Sequence, residues 1–445
     1  MKRCATDQEG KIEMATARLI SWKSACCLLL GLVSLQFVLL YPTQSSSLAS
    51  RLPSFGTLNQ HEQSRPPGTT VADIQRDVID AITATQCNQA FPHLYYEIER
   101  AVRYWKGRRH TLTSYDVEIS WRDSGALRIL IVENELRILE TKGTFDNPGY
   151  RVRVQSILHL IQQALWSATV ADERLPNIEA AIVVDDMSYI PNGNDTHSVW
   201  TWTSLSRGDA GRKNWLIPDF GMYSAPATGS FIDSRRLAVQ HDSHFTAKTP
   251  KAFWRGVTWT NEALRGALLE KTKGQEWADT AVIDWISKTN TIAADEMCKY
   301  AFLVHTEGRS YSGRLQFILN CDSLPVIHDL DWTAHFYHLL IPDGENQNYI
   351  PVQRDFGDLE SKVEYYLEHP EEAERIIKNS INTFRNNNTS PAATSCYLRR
   401  LIQRYSTVAF TPDVHRPAKQ GESMKRRGIS FEEWIHLREE YTGDA

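Results

Sequence analysis

Hydrophobic positions alternate between helical and extended spacing from about residue 74 onward. In residues 91–105 and 152–167, apolar side chains recur every three or four positions, which predicts helices. Shorter apolar runs, broken at residues 123–125 and at Glu133-Asn134, predict strands. These predicted strands are residues 117–121, 127–132, 136–139 and 178–184. The last one carries the run AAIVV, which is typical of a strand buried inside a parallel sheet.

The second half of the chain repeats this alternation. A short strand ends at residues 252–254 and leads into a predicted helix at 261–271. Residues 300–305, 312–320 and 324–328 predict a strand, a helix and a strand, which together make a βαβ unit. Two further helices are predicted at residues 358–367 and 371–386. The pattern therefore predicts an α/β fold with two Rossmann-like doubly wound domains that face a cleft.

Predicted domain boundaries follow from the same alternation. An N-terminal domain is expected at residues 74–240 and a C-terminal domain at 241–388. Residues 389–445 are expected to form helices and a tail that return toward the first domain. Ligands of such folds bind at the carboxyl ends of the strands, so the strand-to-helix loops are the places to look for chemistry.

One segment near the N-terminus differs from the rest. Residues 24–41 carry no charge over a length that crosses a bilayer, and five Lys or Arg residues precede them. This asymmetry predicts a transmembrane signal-anchor with a cytosolic leader at 1–23, a flexible stem at 42–73 and a lumenal body. A cleaved signal peptide is the alternative, since Ser47-Leu48-Ala49 resembles a cleavage site.

Composition narrows the class of protein and its partners. The chain has 445 residues with 42% hydrophobic residues, an ordinary globular composition. The formal net charge of −5 argues against a nucleic-acid partner. In a lumenal body, the sequons at Asn194, Asn387 and Asn388 are candidate glycosylation sites. The four cysteines beyond the predicted anchor allow three disulfide pairings, and their count does not choose among them.

The loop HTEGRSYSGRL, residues 305–315, lies between the strand and the helix of the predicted βαβ unit. Small residues let the backbone approach a ligand, and two arginines add cationic forks. Together with amides at the start of the predicted helix, these groups suit a phosphate or diphosphate. A surface loop whose arginines pair with nearby carboxylates is the alternative. The candidate ligand-binding residues are Gly308, Arg309, Ser312, Gly313 and Arg314.

A second loop, FWRGVTWTNEALR at residues 253–265, has the same construction. It carries Arg255 and Gly256 after a strand and Arg265 in the first turns of a helix. Two such loops in one domain are expected to flank a single diphosphate. For Arg255 the alternative is a structural ion pair.

Acidic residues follow the strands of the first half. Asp185 and Asp186 end the strand at 178–184, and Asp219 lies in LIPDFGMY. Carboxylates in this position serve as general bases, or they cap the next turn. Asp185 and Asp186 are adjacent and point to opposite sides, unlike a metal-binding DxD pair, and no His/Cys cluster has zinc spacing. No metal site is therefore predicted.

Three blocks of the sequence resemble glycosyltransferase family 90, the capsule-associated-protein (CAP10-like) and protein O-glucosyltransferase-like family, and most of all its fungal members. The blocks are WRG…TN…R, CKYAFLVHTEGRSYSGRLQFILNCDSLPVIHD and HFYHLL…NYIPVQRDFGDLESKVEYYLEHPEEAERI. The resemblance covers residues 87–404. It implies the GT-B architecture, an acceptor-side N-terminal domain and a C-terminal domain that binds a UDP-sugar. It also implies inversion at the anomeric carbon without a required metal.

The resemblance assigns roles to individual residues. Arg255 and Arg314 match the family's donor-binding arginines, and Asp186 matches the strand-end aspartate expected to be the general base. Met187 and Ser188 stand where the family has an aromatic residue and a proline, a departure that concerns acceptor recognition. Asp219 is an acceptor-side candidate. The resemblance also supports two disulfides, Cys298–Cys321 at the base of the βαβ unit and Cys87–Cys396.

These expectations combine into one hypothesis. The chain is expected to be an inverting transferase that moves glucose or xylose from a UDP-sugar to a hydroxyl of a glycan or protein. The C-terminal YTGDA is not a KDEL-like signal, so a type II protein of the Golgi membrane is expected. A catalytically silent, lectin-like or scaffold protein is the alternative. A phosphoryl transferase is disfavoured, because neither a P-loop lysine nor a Mg²⁺ carboxylate pair occurs.

Overall fold

A computed structural model describes residues 81–187, 195–208, 211–416 and 423–443. The expected leader, anchor and stem, and the sequon asparagine Asn194, lie outside these ranges. Within the ranges, no helix combines the length and the apolar character that a membrane crossing requires.

The described chain is a mixed α/β structure whose elements follow the predicted alternation. Its helices are α1 (Ala84–Ala90), α2 (Tyr96–Gly107), α3 (Pro148–Val170), α4 (Phe231–Val239), α5 (Glu262–Thr272), α6 (Leu315–Ile318), α7 (Leu359–Glu368), α8 (Pro370–Thr383), α9 (Pro391–Tyr405) and α10 (Phe431–Trp434). Its strands are β1 (Ala126–Val132), β2 (Glu135–Lys142), β3 (Ile178–Val183), β4 (Val199–Thr201), β5 (Thr203–Leu205), β6 (Trp215–Leu216), β7 (Ser224–Ala225), β8 (Gly229–Ser230), β9 (Thr249–Gly256), β10 (Ala278–Val282), β11 (Tyr300–His305), β12 (Leu324–His328), β13 (Trp332–Ala334), β14 (Ile350–Val352) and β15 (Ile429–Ser430).

The first sheet has the strand order β15-β2-β1-β3-β4-β6 and is mixed. Strands β1 and β2 form an antiparallel hairpin across Glu133 and Asn134, whose φ angles of 52° and 61° are those of a tight two-residue turn. Strand β1 also runs antiparallel to β3, whereas β3, β4 and β6 are parallel. The parallel part, consistent with a Rossmann-like sheet, is thus the part that ends near Asp185 and Asp186.

The prediction of a strand at residues 117–121 is wrong. The chain instead makes a single 3-10 turn at Ser114–Val117. The carboxylate of Asp116 accepts hydrogen bonds from the backbone N–H and the hydroxyl of Thr113, which closes the turn. Val117 and Ile119 are still fully buried, so the apolar alternation reflects burial against the sheet rather than strand pairing.

The second sheet is parallel throughout, with the order β10-β9-β11-β12-β14. Strands β11 and β12 have the bounds that the sequence predicts. The helix between them is shorter, since only α6 is helical within the predicted range of 312–320. Because β9 and β11 are neighbours and parallel, the loops that follow them meet at one edge of this sheet.

Both disulfides expected from the sequence are present. Cys298 precedes β11 and Cys321 lies between α6 and β12, and their Cα atoms are 4.9 Å apart. Cys87 in α1 is bonded to Cys396 in α9, across a sequence separation of 309 residues. The second bridge therefore joins the first described helix to the last long one.

Candidate active site

The two arginine-bearing loops meet, as the strand order requires. Asn261 Nδ2 donates to the carbonyl oxygen of Gly308 at 3.1 Å, and Arg265 Nε donates to that of Glu307 at 3.0 Å. Arg265 Nη1 donates in addition to the carbonyl oxygen of Val257 at 2.7 Å. Arg265 is buried, and burial lowers its pKa to about 10. This arginine therefore braces the two loops against each other.

The ring of Trp254 lies beneath the guanidinium groups where the two loops meet. Its Nε1 donates to the hydroxyl of Thr306 at 2.9 Å, which fixes the ring. The guanidinium carbons of Arg265 and Arg314 lie 5.9 Å and 5.7 Å from the ring centroid. A Cβ on Gly256 would approach Trp254 Cζ2 to 2.5 Å, so only glycine fits beside the ring. Two cations thus share one aromatic surface.

Arg314 differs from the other arginines of the site in its partners. Its Nη1 is buried and has no hydrogen-bond partner among the described residues. Burial, and then the nearby charge of Arg265, lower the pKa of Arg314 to about 10. A buried guanidinium nitrogen without an acceptor is costly, and an anion bound there would remove that cost. The geometry is that of an anion site.

His305 lies behind the two arginines at the end of β11. Burial holds its pKa well below the ordinary value, and the charges of His328, Arg314 and Arg265 act in the same direction. Neither of its ring nitrogens has a hydrogen-bond partner among the described residues. His305 is therefore neutral at pH 7 and leaves the positive charge of the site to the arginines.

Arg255 makes the ion pair that the sequence left open as an alternative. Its Nη2 lies 2.7 Å from Asp279 Oδ1, and its Nη1 donates to the carbonyl oxygen of Asp279 at 2.7 Å. Tyr300 donates its hydroxyl to the other carboxylate oxygen at 2.5 Å. The Arg255 guanidinium is thereby held over Phe253, with its carbon 4.7 Å from the ring centroid. This pairing orients Arg255 but does not remove it from the site.

A cavity of about 270 Å³ lies against this edge of the sheet. Five of the sequence-predicted residues line it: Asp219, Arg255, Ser312, Gly313 and Arg314. The remaining lining is largely apolar and includes Phe253, Ile283, Trp285, Ile292 and Phe317. Gly308 and Arg309 lie outside the cavity. Arg309 is exposed, with its guanidinium carbon 5.3 Å from the ring centroid of Trp259.

Asp219 is buried, and its carboxylate contacts the loop that carries Arg314. One oxygen accepts from the backbone N–H of Gly221 at 2.6 Å and from Gln316 Nε2 at 2.7 Å. The other accepts a short hydrogen bond from the hydroxyl of Tyr311. Burial raises the pKa of Asp219. A Cβ on Gly313 would lie 3.2 Å from Asp219 Oδ2, so the loop packs directly on the carboxylate.

Asp185 and Asp186 follow β3 and bind different arginines. Asp185 Oδ2 lies 3.0 Å from Arg122 Nη2, and Asp186 Oδ1 lies 2.8 Å from Arg153 Nη2. The side chain of Asp186 is 42% exposed and that of Asp185 is 26% exposed. The carbonyl oxygen of Asp186 accepts a short hydrogen bond from the hydroxyl of Ser310. The strand end with the candidate base thus touches the arginine-bearing loop.

Sequence reasoning missed three residues of this arrangement: Arg153, Tyr311 and Gln316. Tyr311 and Gln316 flank the predicted residues of the HTEGRSYSGRL loop, so their position was a usable signal. Arg153 lies in the first turns of α3 and has no local signature. Only the fold brings it to Asp186.

One group of possible metal ligands occurs among the described residues. Ligand atoms of His241, Asp295 and Glu296 lie within 4.8 Å of one another. His241 Nε2 is 3.2 Å from Asp295 Oδ2, and Glu296 also pairs with Lys299. The carboxylates therefore already have partners, and none of the three residues lines the cavity.

The sequence is similar to several proteins described as O-glucosyltransferases. The mouse protein O-glucosyltransferase 3 is 30% identical over 277 residues, which cover 56% of this chain and 53% of that protein. Protein O-glucosyltransferase 2 of Danio rerio is 21% identical over 345 residues, covering 73% of this chain and 64% of its own length. O-glucosyltransferase LpsA of Dichelobacter nodosus is 26% identical over 144 residues, covering 31% of this chain and 43% of that protein.

The chain thus matches about half the length of the mouse relative. The family model of glycosyl transferase family 90 matches residues 85–427, a range that contains the second sheet, every strand of the first sheet except β15, the cavity and the two arginine-bearing loops. The chain belongs to glycosyl transferase family 90.

Proposed function

We propose that the protein is an inverting glycosyltransferase that moves glucose or xylose from a UDP-sugar to a hydroxyl of a protein or glycan acceptor. The observation that carries this proposal is the Arg314 guanidinium, which lies over Trp254 and whose buried Nη1 has no hydrogen-bond partner among the described residues. Relatives described as O-glucosyltransferases support glucose as the sugar and a protein as the acceptor. A GT-B arrangement, with donor and acceptor on opposite sides of a cleft, is part of the proposal.

In this proposal Arg314 and Arg255 bind the diphosphate of the donor. As the bond between the anomeric carbon and UDP breaks, negative charge grows on the β-phosphate, and a fixed guanidinium stabilises it most in the transition state. Helix α6 is a single turn, so it supplies less to this task than the longer predicted helix would. The arginines are therefore expected to carry most of the charge stabilisation.

Asp186 is the general base of the proposal. Its carboxylate takes the proton of the acceptor hydroxyl while that oxygen forms its bond to the anomeric carbon on the face opposite UDP. UDP leaves with the bonding electron pair, so one displacement inverts the anomeric centre. Asp186 suits this role because it is the more exposed of the two strand-end carboxylates and lies beside the donor loop.

Two further parts of the proposal concern cofactor and location. The guanidinium charges stand where a divalent cation would otherwise neutralise the diphosphate, so we expect activity in the presence of a chelator. We also propose a single-pass type II protein of the Golgi membrane with a lumenal catalytic domain. That part depends on the charge pattern around residues 24–41 alone.

A donor assay tests the proposal. Purified protein is incubated with UDP-glucose, UDP-xylose and other UDP-sugars, with and without EDTA, and released UDP is measured. Turnover of UDP-glucose or UDP-xylose that EDTA leaves intact is the expected result. UDP binding without release of UDP from any donor would favour the lectin-like alternative, and turnover that needs a metal would refute the metal-independent mechanism.

A further inference from the structure

We infer that Asp219 is a positioning residue that fixes the donor loop relative to the strand end of the candidate base. This inference rests on the proposed function, which supplies the roles of Arg314 and Asp186. Asp219 belongs to the segment after β6 and the loop belongs to the segment after β11, so the contact joins the edges of the two sheets.

Three donors converge on the buried carboxylate. Tyr311 and Gln316 come from either side of Arg314, and the N–H of Gly221 comes from the segment of Asp219 itself. The loop is therefore held at two points, Tyr311 three residues before Arg314 and Gln316 two residues after it. Gly313 lies between them and packs on the same carboxylate. A shift of the carboxylate therefore breaks contacts on both sides of Arg314.

The same region is linked to the candidate base. Ser310, the residue before Tyr311, donates its hydroxyl hydrogen to the carbonyl oxygen of Asp186. Arg153, the ion-pair partner of Asp186, lies with its guanidinium carbon 4.9 Å from the ring centroid of Phe220. Phe220 follows Asp219 directly. Donor loop and base are thus held to one another through adjacent residues.

The geometry favours positioning over direct catalysis. A carboxylate offers about four acceptor positions, and three of those on Asp219 are occupied by donors of the protein. Asp219 lines the cavity, but its side chain is buried and its oxygens already accept from the protein, whereas the side chain of Asp186 is 42% exposed. Asp219 therefore acts through the loop that it holds.

Matched substitutions separate positioning from general stability. Asp219→Ala removes the acceptor of all three donors, whereas Asp219→Asn keeps one oxygen for Gly221 and Gln316 and can donate to Tyr311. Asp116→Ala is the control, because Asp116 is also buried and also accepts from a backbone N–H and a hydroxyl, but it contacts Thr113 rather than the donor loop. Each variant is measured for Tm and for the Kd of UDP.

We expect Asp219→Ala to raise the Kd of UDP by at least about tenfold, since hydrogen bonds to a charged group are lost and the loop is released. Asp219→Asn should stay within about threefold of wild type, and Asp116→Ala should lower Tm without changing the Kd. If Asp219→Ala does not fold, Tyr311→Phe, which removes one hydroxyl, should weaken UDP binding in the same direction.

The outcomes are distinguishable. Unchanged UDP affinity in Asp219→Ala, or an equal loss in Asp116→Ala, overturns the positioning role and leaves the proposed function standing. A wild-type protein that binds neither UDP nor a UDP-sugar overturns the proposed function and the inference with it. Loss confined to Asp219→Ala and Tyr311→Phe, with recovery in Asp219→Asn, supports both.

Discussion

Replacing Arg314 by methionine should make the protein more stable and nearly inactive. The fall in the pKa of Arg314 to about 10, caused by burial and by Arg265, corresponds to about 3 kcal/mol of free energy against the charged form. Methionine has similar length, carries no charge and still packs on Trp254. We therefore expect the free energy of unfolding of the ligand-free protein to rise by about 1–3 kcal/mol. Donor turnover should fall about 10²–10³-fold, as for removal of one group that stabilises transition-state charge.

The measurements are a thermal melt without ligand and the initial rate of UDP release. Arg385→Met serves as the control, because Arg385 is a buried arginine that donates through both Nη atoms to the carboxylate of Asp242. Removing it leaves Asp242 without those bonds, so Tm should fall. A clear drop in Tm for Arg314→Met would show that its charge is compensated in the ligand-free protein, and undiminished turnover would refute its role at the diphosphate.

Three other predictions concern the base, the pH dependence and the sequons. Asp186→Asn should lower transfer about 10²–10⁴-fold while UDP binding persists, whereas Asp185→Asn should mainly lower Tm; the reverse would make Asp185 the base. Burial lowers the pKa of His335 to about 3, so the unfolded chain binds a proton that the folded one does not, and stability falls as pH drops from about 6.5 toward 3. Urea titrations at pH 7, 6 and 5 should show a smaller loss in His335→Phe, and an unchanged loss would assign it to other groups. Asn388 should carry no glycan after secretion from a eukaryotic host, because it is buried, its Nδ2 donates to a backbone carbonyl and the hydroxyl residue of its sequon, Ser390, is fully buried; a glycopeptide there would contradict this.

The fold of the second half follows closely from the sequence. Strands β11 and β12 are apolar up to a terminal histidine and are bounded by polar residues, a pattern typical of buried parallel strands. Residues 117–121 show why apolar alternation alone does not establish a strand. Alternating burial looks the same whether or not a neighbouring strand supplies hydrogen bonds. The short α6 shows another limit, since residues 312–314 of the predicted helix belong to the loop that packs on the Asp219 carboxylate.

For the candidate site, the sequence predicted which two loops lie together but not which residues their side chains pair with. Glycines and arginines after a strand mark a ligand-binding loop, and both such loops lie at one edge of the sheet. Arg255 pairs with Asp279, which lies on a neighbouring strand. The Nη1 of Arg314 has no hydrogen-bonding partner among the described residues. Asp219 was expected on the acceptor side, yet the fold turns its carboxylate onto the loop of Arg314. These pairings are properties of the tertiary structure and have no local signature.

The bond between Cys87 and Cys396 also sets an order of events during synthesis. Its two thiols are separated by 309 residues, so the native bond cannot form until residue 396 has been synthesised. The Cys298–Cys321 bond spans only 23 residues and is able to close earlier. Closing the longer ring removes about 5–6 kcal/mol of chain entropy from the unfolded state, so this late step contributes much of the final stability. A chain that terminates before residue 396 lacks the partner of Cys87, so it differs chemically from the finished protein by one unpaired thiol.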